Sequence, residues 1–479
     1  MTYRTFLIVA ALALPAAAQE TPTEREAARG VLEKMAALEK SLDVPAMVRT
    51  LTSPDPERER VTARVKELWD RELQALSDDI TRHPEIGFVE KRSVGKLTDY
   101  LKAHNFDVKM GGTGPAASLD TAFIATYRGN NGGPRLGVIL EYDALRGTTR
   151  AFHGDQHSAQ GPVGIAAAVA IAEYLARSQQ PGSVVVIGTP GEEMMPPNAK
   201  TLMHQAGMFN GADIWVRSHS SPATRRPAPG FGTCCLNIDG VKYIFSGAPS
   251  HQMQSWDGRN ALEAVIHLFE NIDSVRSSIR PEARIQGVIT EGGAAPNVVP
   301  DRAVADFYIR YPDEVYLKQI REFTDNAARA AALSTGTKVK IDNYGQDRDG
   351  ISVATLDELG FAYMKMFGAG KIVPEPAKPQ GYEETGSVSR DIPGTGFDAY
   401  SSTFPNHTYG MEDDALIEVG HHGFLVDAES MAAVLFDFAT HPDYRTAVKR
   451  EFSSIKELFG EYQEALRKTY RVPEVPEPK

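Results

Sequence analysis

The sequence predicts an α/β protein: a larger domain built on a mainly parallel central sheet covered by helices, with a smaller ferredoxin-like βαββαβ domain inserted into it. Three observations carry this. Between residues 121 and 218 short apolar runs alternate with helical patterns, the rhythm of βαβ units. Between 237 and 345 the order becomes strand, helix, strand, strand, helix, strand. The chain has 479 residues, 42% hydrophobic and 24% charged, long enough for two cores.

In chain order, Arg4 precedes an apolar run over 6–14, and Ala16, Ala17 and Ala18 precede Gln19. This reads as a signal peptide over 1–18, cleaved after Ala18, which implies a secreted or periplasmic protein. The run is shorter than the roughly 20 residues that span a bilayer, so a retained anchor is the weaker reading. A helical segment occupies 19–60, and helical spacing continues through Val61, Val65, Leu68 and Leu76. The first part of the larger domain takes 61–236, with strands expected at 121–127, 136–142, 183–189 and 212–218 and a helix at 162–177. Pro162 suits a first helical turn, where its missing N–H has no partner to lose. Gly164, Ala166, Ala167, Ala168 and Ala170 leave little bulk, which predicts close packing of that helix on the sheet.

The inserted domain takes 237–350. Its strands are expected at 237–245, 283–290, 303–311 and 337–341, and its helices at 260–279 and 313–333. Helical patterns at 356–367 and 430–468 complete the larger domain over 351–470, and a Pro/Glu tail follows at 471–479.

Lysine plus arginine total 51 and aspartate plus glutamate 63, a net charge of −12, which disfavours nucleic acid or anionic lipid as the main partner. No membrane contact is expected once the leader is removed. Cys234 and Cys235 are adjacent and poorly placed to pair with each other, so no disulfide framework is expected.

Three of the apolar runs end in polar clusters: 136–140 in Glu141-Tyr142-Asp143, 184–187 shortly before Glu192-Glu193, and 214–216 in Arg217-Ser218-His219. The carboxyl edge of a parallel sheet is where such folds place their sites. His153-Gly154-Asp155-Gln156-His157 lies in the loop before the Pro162 helix. Carboxylates and imidazoles arriving from separate loops are what a metal site needs to close around an ion. Taken singly, each histidine is more often a packed or solvated residue than a ligand, and Glu192-Glu193 fits a solvated loop or a helix N-terminus. Their joint position at strand ends is what favours a metal.

These residues resemble the M20 metallopeptidases, in particular the amidohydrolase branch with aminobenzoyl-glutamate hydrolases, auxin-conjugate hydrolases and related dipeptidases. His83-Pro84-Glu85-Ile86-Gly87-Phe88 is similar to that branch's His-Pro-Glu-Leu-Gly, and Glu141-Tyr142-Asp143-Ala144-Leu145 to its Glu-Tyr-Asp-Ala-Leu. Gly188-Thr189-Pro190-Gly191-Glu192-Glu193 resembles Gly-Thr-Pro-Ala-Glu-Glu. The segment from Gly292 to Asp301 is similar to the lid signature, and Gly420-His421-His422-Gly423 to a Gly-His-Lys-Gly segment. The order of these matches along the chain makes them specific.

The resemblance implies a zinc-peptidase-like catalytic domain with a lid or dimerisation domain, and two divalent metal ions, zinc or manganese. Asp155, His157, Glu193, His219 and His407 take the ligand positions, His407 within Pro405-Asn406-His407-Thr408-Tyr409. His421 and His422 are then expected to be packing residues. Asp155 stands where the branch has a bridging cysteine, and Gln156 where it has glycine; an aspartate bridge favours zinc or manganese over softer ions. Met194-Met195-Pro196-Pro197 replaces a glycine-rich loop.

Metal ions in such sites acidify a shared water and polarise the scissile carbonyl. Glu192 then takes the role of general base and proton shuttle to the leaving amine. The resemblance further implies that Asp143 would orient a ligand and that His251 would stabilise the oxyanion from a partner subunit. Asn297 and Arg310, on the lid, would anchor a substrate carboxylate. The reading is amide hydrolysis of an N-acyl amino acid, aminoacyl conjugate or dipeptide, by a homodimer joined through the lid. A non-catalytic solute-binding protein and a dimeric scaffold are the alternatives. Intact Glu192 beside the ligand positions counts against the first, and only the inserted domain supports the second.

Overall fold

The computed structural model describes residues 21–194, 199–225, 230–232, 237–374, 386–472 and 475–476. The expected leader, the cysteine pair and Met195 to Pro197 lie outside them, as does part of the tail.

The lead-in is helical: Pro22–Leu42, Val44–Leu51, Pro56–Leu68 and Gln74–Thr81, the last two joined by one π turn at Trp69–Leu73. The first three each place proline in the first turn behind an N-cap, Thr21, Asp43 or Asp55, whose side chain accepts a backbone N–H. Pro22–Leu42 packs on the long helix Pro442–Thr469, so the first and last helices of the described residues close on each other.

Among the described residues the central sheet has six strands. Asp107–Met110, Phe123–Arg128, Pro181–Gly188, Asn130–Leu140, Ile214–Ser218 and Gly394–Phe397 lie in that spatial order. The last four run parallel and the first two antiparallel, so the sheet is mainly parallel, as the sequence predicts. Strand alternation divides its residues between two cores. Leu136, Val138, Leu140, Val184, Val186, Ile214 and Val216 face the main helical layer. Ile139, Val185, Ile187 and Trp215 face a smaller cluster with Met203 and Phe209.

The helix His157–Ser178 lies against the first face, with Glu418–Thr440 and Pro56–Leu68 beside it. It is long and apolar enough to cross a membrane, but it is almost wholly buried in the core. A Cβ on Gly164 would stand 2.2 Å from Leu140 Cδ2, so the small-residue stripe does permit close packing on the sheet.

Pro162 corrects the expected helix start. The helix begins at His157, five residues earlier, and Pro162 lies inside it, costing the bond that a residue there would give the Ser158 carbonyl. Burial on both sides keeps the helix continuous, so tertiary packing overrides the local preference.

The second sheet is antiparallel, in the order Lys338–Asp347, Asn237–Ser246, Arg302–Tyr311, Arg284–Glu291. Helices Ala261–Val275 and Glu314–Thr335 cover one face, meeting Val241, Tyr243, Phe245, Ala305, Phe307 and Ile309. This is the expected βαββαβ order. Among the described residues the strands of this sheet pair only with each other, so it is separate from the first one.

A candidate metal centre at the sheet's carboxyl edge

The register of the parallel strands builds the site. Val138 pairs with Val216, so Glu141 and His219 each lie three residues beyond that pair and emerge side by side. The neighbouring strand reaches Gly188 opposite Leu140 and then turns into Glu192 and Glu193. Asp155 and His157 come from the loop and first turn of the buried helix.

Asp143 is the organising group. Fully buried, its Oδ1 lies 3.1 Å from His157 Nδ1 and its Oδ2 accepts the Glu193 N–H at 2.9 Å. One carboxylate thus fixes an imidazole and the start of the Glu193 loop, and leaves His157 Nε2 facing the cluster. Among the described residues Nε2 has no hydrogen-bond partner; Glu141 Oε2 is 3.5 Å away and Glu192 Oε2 3.9 Å.

The loop carrying His407 closes the other side. His407 donates its N–H to the Gly154 carbonyl at 3.0 Å, and its Nε2 lies 2.7 Å from Asp155 Oδ2 and 3.8 Å from Glu193 Oε2. A Cβ on Gly154 would stand 2.6 Å from Leu145 Cδ1, 2.7 Å from Phe152 Cε2 and 3.1 Å from His407 Cα, so the crowded approach favours glycine. The His407 side chain is 64% exposed, which leaves the site open to solvent on that side.

Both departures at the Asp155 loop have local compensation. Gln156 adopts the left-handed conformation, φ 52°, that a glycine would take without strain. Its buried amide repays this by donating to the Met411 carbonyl at 2.7 Å and accepting from Ser401 Oγ at 2.8 Å. Asp155 Oδ1 accepts from Asn406 Nδ2 at 2.6 Å, which leaves Oδ2 turned to the cluster. No sequence signal linked Asn406 to Asp155.

Two sets of donor atoms, each within 4.8 Å of one another, could hold a cation: Asp155, His157 and Glu193, and Glu141, His157 and His219. Glu141 has no role in the sequence reading, although it opens the same strand-end motif as Asp143. His251 and Asn297 stand elsewhere, on the lid: His251 Nδ1 accepts the Met253 N–H at 3.1 Å, and the Asn297 carbonyl accepts the Gln252 N–H at 3.0 Å. Arg310 occupies the lid's open sheet face beside Tyr308 and Gln286. It is eight residues along its strand from Arg302, roughly 27 Å at ~3.4 Å per residue, whereas Asn297 precedes that strand's start. One chain therefore does not bring Asn297 and Arg310 together. His421 meets Asp78 at 2.8 Å and His422 the Gly368 carbonyl at 3.0 Å, in the first turn of Glu418–Thr440. Burial drops the His153 pKa to about 3, so it is a neutral packed imidazole.

The electrostatics of the cluster favour a cation. Burial pushes Glu193 up to about 8, with His157 opposing and Asp155 and Asp143 adding to the rise. Burial opposes charge on His157, but the Asp143 bond and the Glu141 and Glu193 carboxylates outweigh it and raise its pKa well above the ordinary value. The cluster thus retains protons that a divalent ion would displace. The buried Nε2 without a partner and the mixed imidazole and carboxylate donors fit a borderline or hard divalent ion.

Residues 236–335 match the family description "Peptidase dimerisation domain". The mouse Xaa-Arg dipeptidase is 30% identical over 414 residues, 82% of this chain and 92% of that protein. One of the subunits of the Escherichia coli p-aminobenzoyl-glutamate hydrolase is 31% identical over 281 residues, 55% of this chain and 56% of that one. A Bacillus subtilis structure described as a dinuclear metal-binding peptidase of the M20 family covers 78% of this chain with 99% of its own, at 17% identity and a TM-score of 0.51, and so shares the fold. With the ordered motifs and the site they converge on, these likenesses show that the chain belongs to the M20 family of metallopeptidases and amidohydrolases, enzymes acting on amide C–N bonds.

Proposed function

We propose that this protein is an exported, metal-dependent hydrolase that releases the amine from N-acyl amino acids, aminoacyl conjugates or dipeptides. The observation that carries the reading is Asp143 holding both His157 and Glu193 beside a buried Glu192. Asp155, His157, Glu193, His219 and His407 would hold two divalent ions, zinc or manganese. When bound, such ions supply Lewis acidity for the scissile carbonyl and acidify a water.

The chain's own residues do the rest. Glu192, beside Glu193 and 7% exposed, takes the water's proton at its carboxylate and hands it to the departing amine. Asp143 keeps the His157 proton on Nδ1 and directs Nε2 inward. Asn406 holds one oxygen of Asp155 and leaves the other turned to the cluster, where it would be available to a cation. The lid, taken as residues 237–350, would pair with a second copy, and the partner's His251 would donate to the oxyanion. Asn297 and Arg310 are assigned to the substrate carboxylate; because one chain does not bring them together, the assignment requires that they come from different subunits. The mouse and E. coli relatives, named for a dipeptide and for aminobenzoyl-glutamate, support substrates with an amide-linked amino acid. The Ala16-Ala17-Ala18 leader supports secretion or a periplasmic location.

The test is a panel of N-acyl amino acids, aminobenzoyl-glutamate and dipeptides, offered to stripped protein reloaded with zinc or manganese. Metal-dependent release of amine is expected. Two bound ions without turnover of any member would favour the solute-binding alternative.

A further inference from the structure

Glu141 and Lys200 form a buried charge pair that the reaction described above does not use. Glu141 is completely buried, Lys200 is 1% exposed, and Lys200 Nζ is paired with Glu141 Oε1. Glu141 comes from the end of Asn130–Leu140, and Lys200 from the helix Ala199–Gln205. Two buried ions lose most of their hydration, so such a pair is weak evidence for stability alone.

Its geometry is directed. Lys200 engages Oε1, while Oε2 lies 3.5 Å from His157 Nε2, and neither atom of this second contact has a hydrogen-bond partner among the described residues. With His219, Glu141 and His157 bring three donor atoms within 4.8 Å of one another, a set separate from Asp155 and Glu193 except for the shared His157.

We propose that Glu141 is a further metal ligand, on the side of the centre facing His219, and that Lys200 is the positioning residue that holds it there. The inference rests on the two-ion reading above and extends it. Lys200 occupies one carboxylate oxygen and so makes Glu141 a one-oxygen donor. It also offsets one negative charge in a pocket crowded with carboxylates.

The test is titration of stripped full-length protein with cobalt(II), following the visible spectrum and the bound metal after gel filtration. Wild type should take up two equivalents. Glu141→Gln should keep the first and bind the second at least tenfold more weakly, with loss of the spectral change that accompanies it. Glu141→Asp keeps the charge for Lys200 but withdraws the carboxylate by one methylene, and should also weaken the second equivalent; it serves if the glutamine variant does not fold. Lys200→Met should still bind two equivalents, with apo-protein stability lowered and restored by cobalt more than in wild type. Two equivalents at wild-type affinity in the folded Glu141 variants overturn this inference alone. Fewer than two in wild type overturn it together with the two-ion reading.

Discussion

Replacing Asp143 by asparagine tests the site where its geometry is most constrained. The carboxylate accepts from two directions, the His157 ring N–H and the Glu193 backbone N–H, at 3.1 and 2.9 Å. Asparagine keeps the shape but has one acceptor and one donor end. With its oxygen toward His157, its NH2 meets the Glu193 N–H, donor against donor, and displaces the Glu193 loop. With its oxygen toward Glu193, its NH2 needs His157 Nδ1 to accept, which moves the imidazole proton onto Nε2, the atom that must face the cation. Either orientation spoils one ligand.

A hydrogen bond to a charged group contributes about 1.5–3 kcal/mol, and each 1.4 kcal/mol is about tenfold, so cation affinity should fall by roughly 10–100-fold. The loss is read by competition for zinc with a chromogenic chelator. Because the defect is in affinity, saturating metal should restore much of the turnover. Zinc affinity in Asp143→Asn within twofold of wild type would refute the argument, since neither orientation can preserve both contacts.

Further outcomes follow from the same geometry. Glu192→Gln should lose about 10²–10⁴-fold in turnover with bound metal near normal, because glutamine cannot take the proton; full turnover would end that assignment. Asp155→Ala should lower metal occupancy and activity together, whereas Asp155→Cys should keep measurable zinc through a bond of about 2.3 Å; unchanged stoichiometry in the alanine variant would remove Asp155 from the centre. Glu192→Gln and His251→Ala, each nearly inactive alone, should regain roughly a quarter of wild-type activity when refolded together, since about half the dimers are mixed and carry one live site of two; mixed dimers without activity would place His251 outside the partner's site. Burial pushes Asp313 up to about 7, against hydrogen bonds from Tyr470 and the Tyr316 N–H and with Glu24 and Asp349 adding to the rise. A carboxyl raised on folding loses stability as pH climbs from about 4 through 7, so melting temperature should fall less between pH 5 and 8 in Asp313→Asn, which can still cap its helix; parallel curves would refute this.

The sheet and its site edge were legible because both depend on short-range patterns. Alternation along 136–140 and 184–187 divides between the two cores in the structure, and the polar residues after those runs meet because parallel strands end at one edge. What escaped the sequence depends on contacts between distant residues. Asn406 meets Asp155 across 251 residues, and nothing local to either announces the other. Glu141 carries no local signal although it is two residues from Asp143, because only the Val138–Val216 register brings it beside His219. Pro162 misled because a local preference for the first turn yields to a helix packed on both sides.

The arrangement itself argues against a passive binding role. Glu141, Asp143, Asp155 and Glu192 are all at most 7% exposed, and the Glu193 side chain is 4% exposed. Two like charges about 4 Å apart repel by about 4 kcal/mol at an effective dielectric of 20. A fold that needed only to retain a solute could remove several of these carboxylates and gain stability. Divalent cations turn the same repulsion into affinity, which accounts for a centre with so many acids. They do not account for Glu192 beside Glu193, a buried carboxylate that the proposed proton transfer would use.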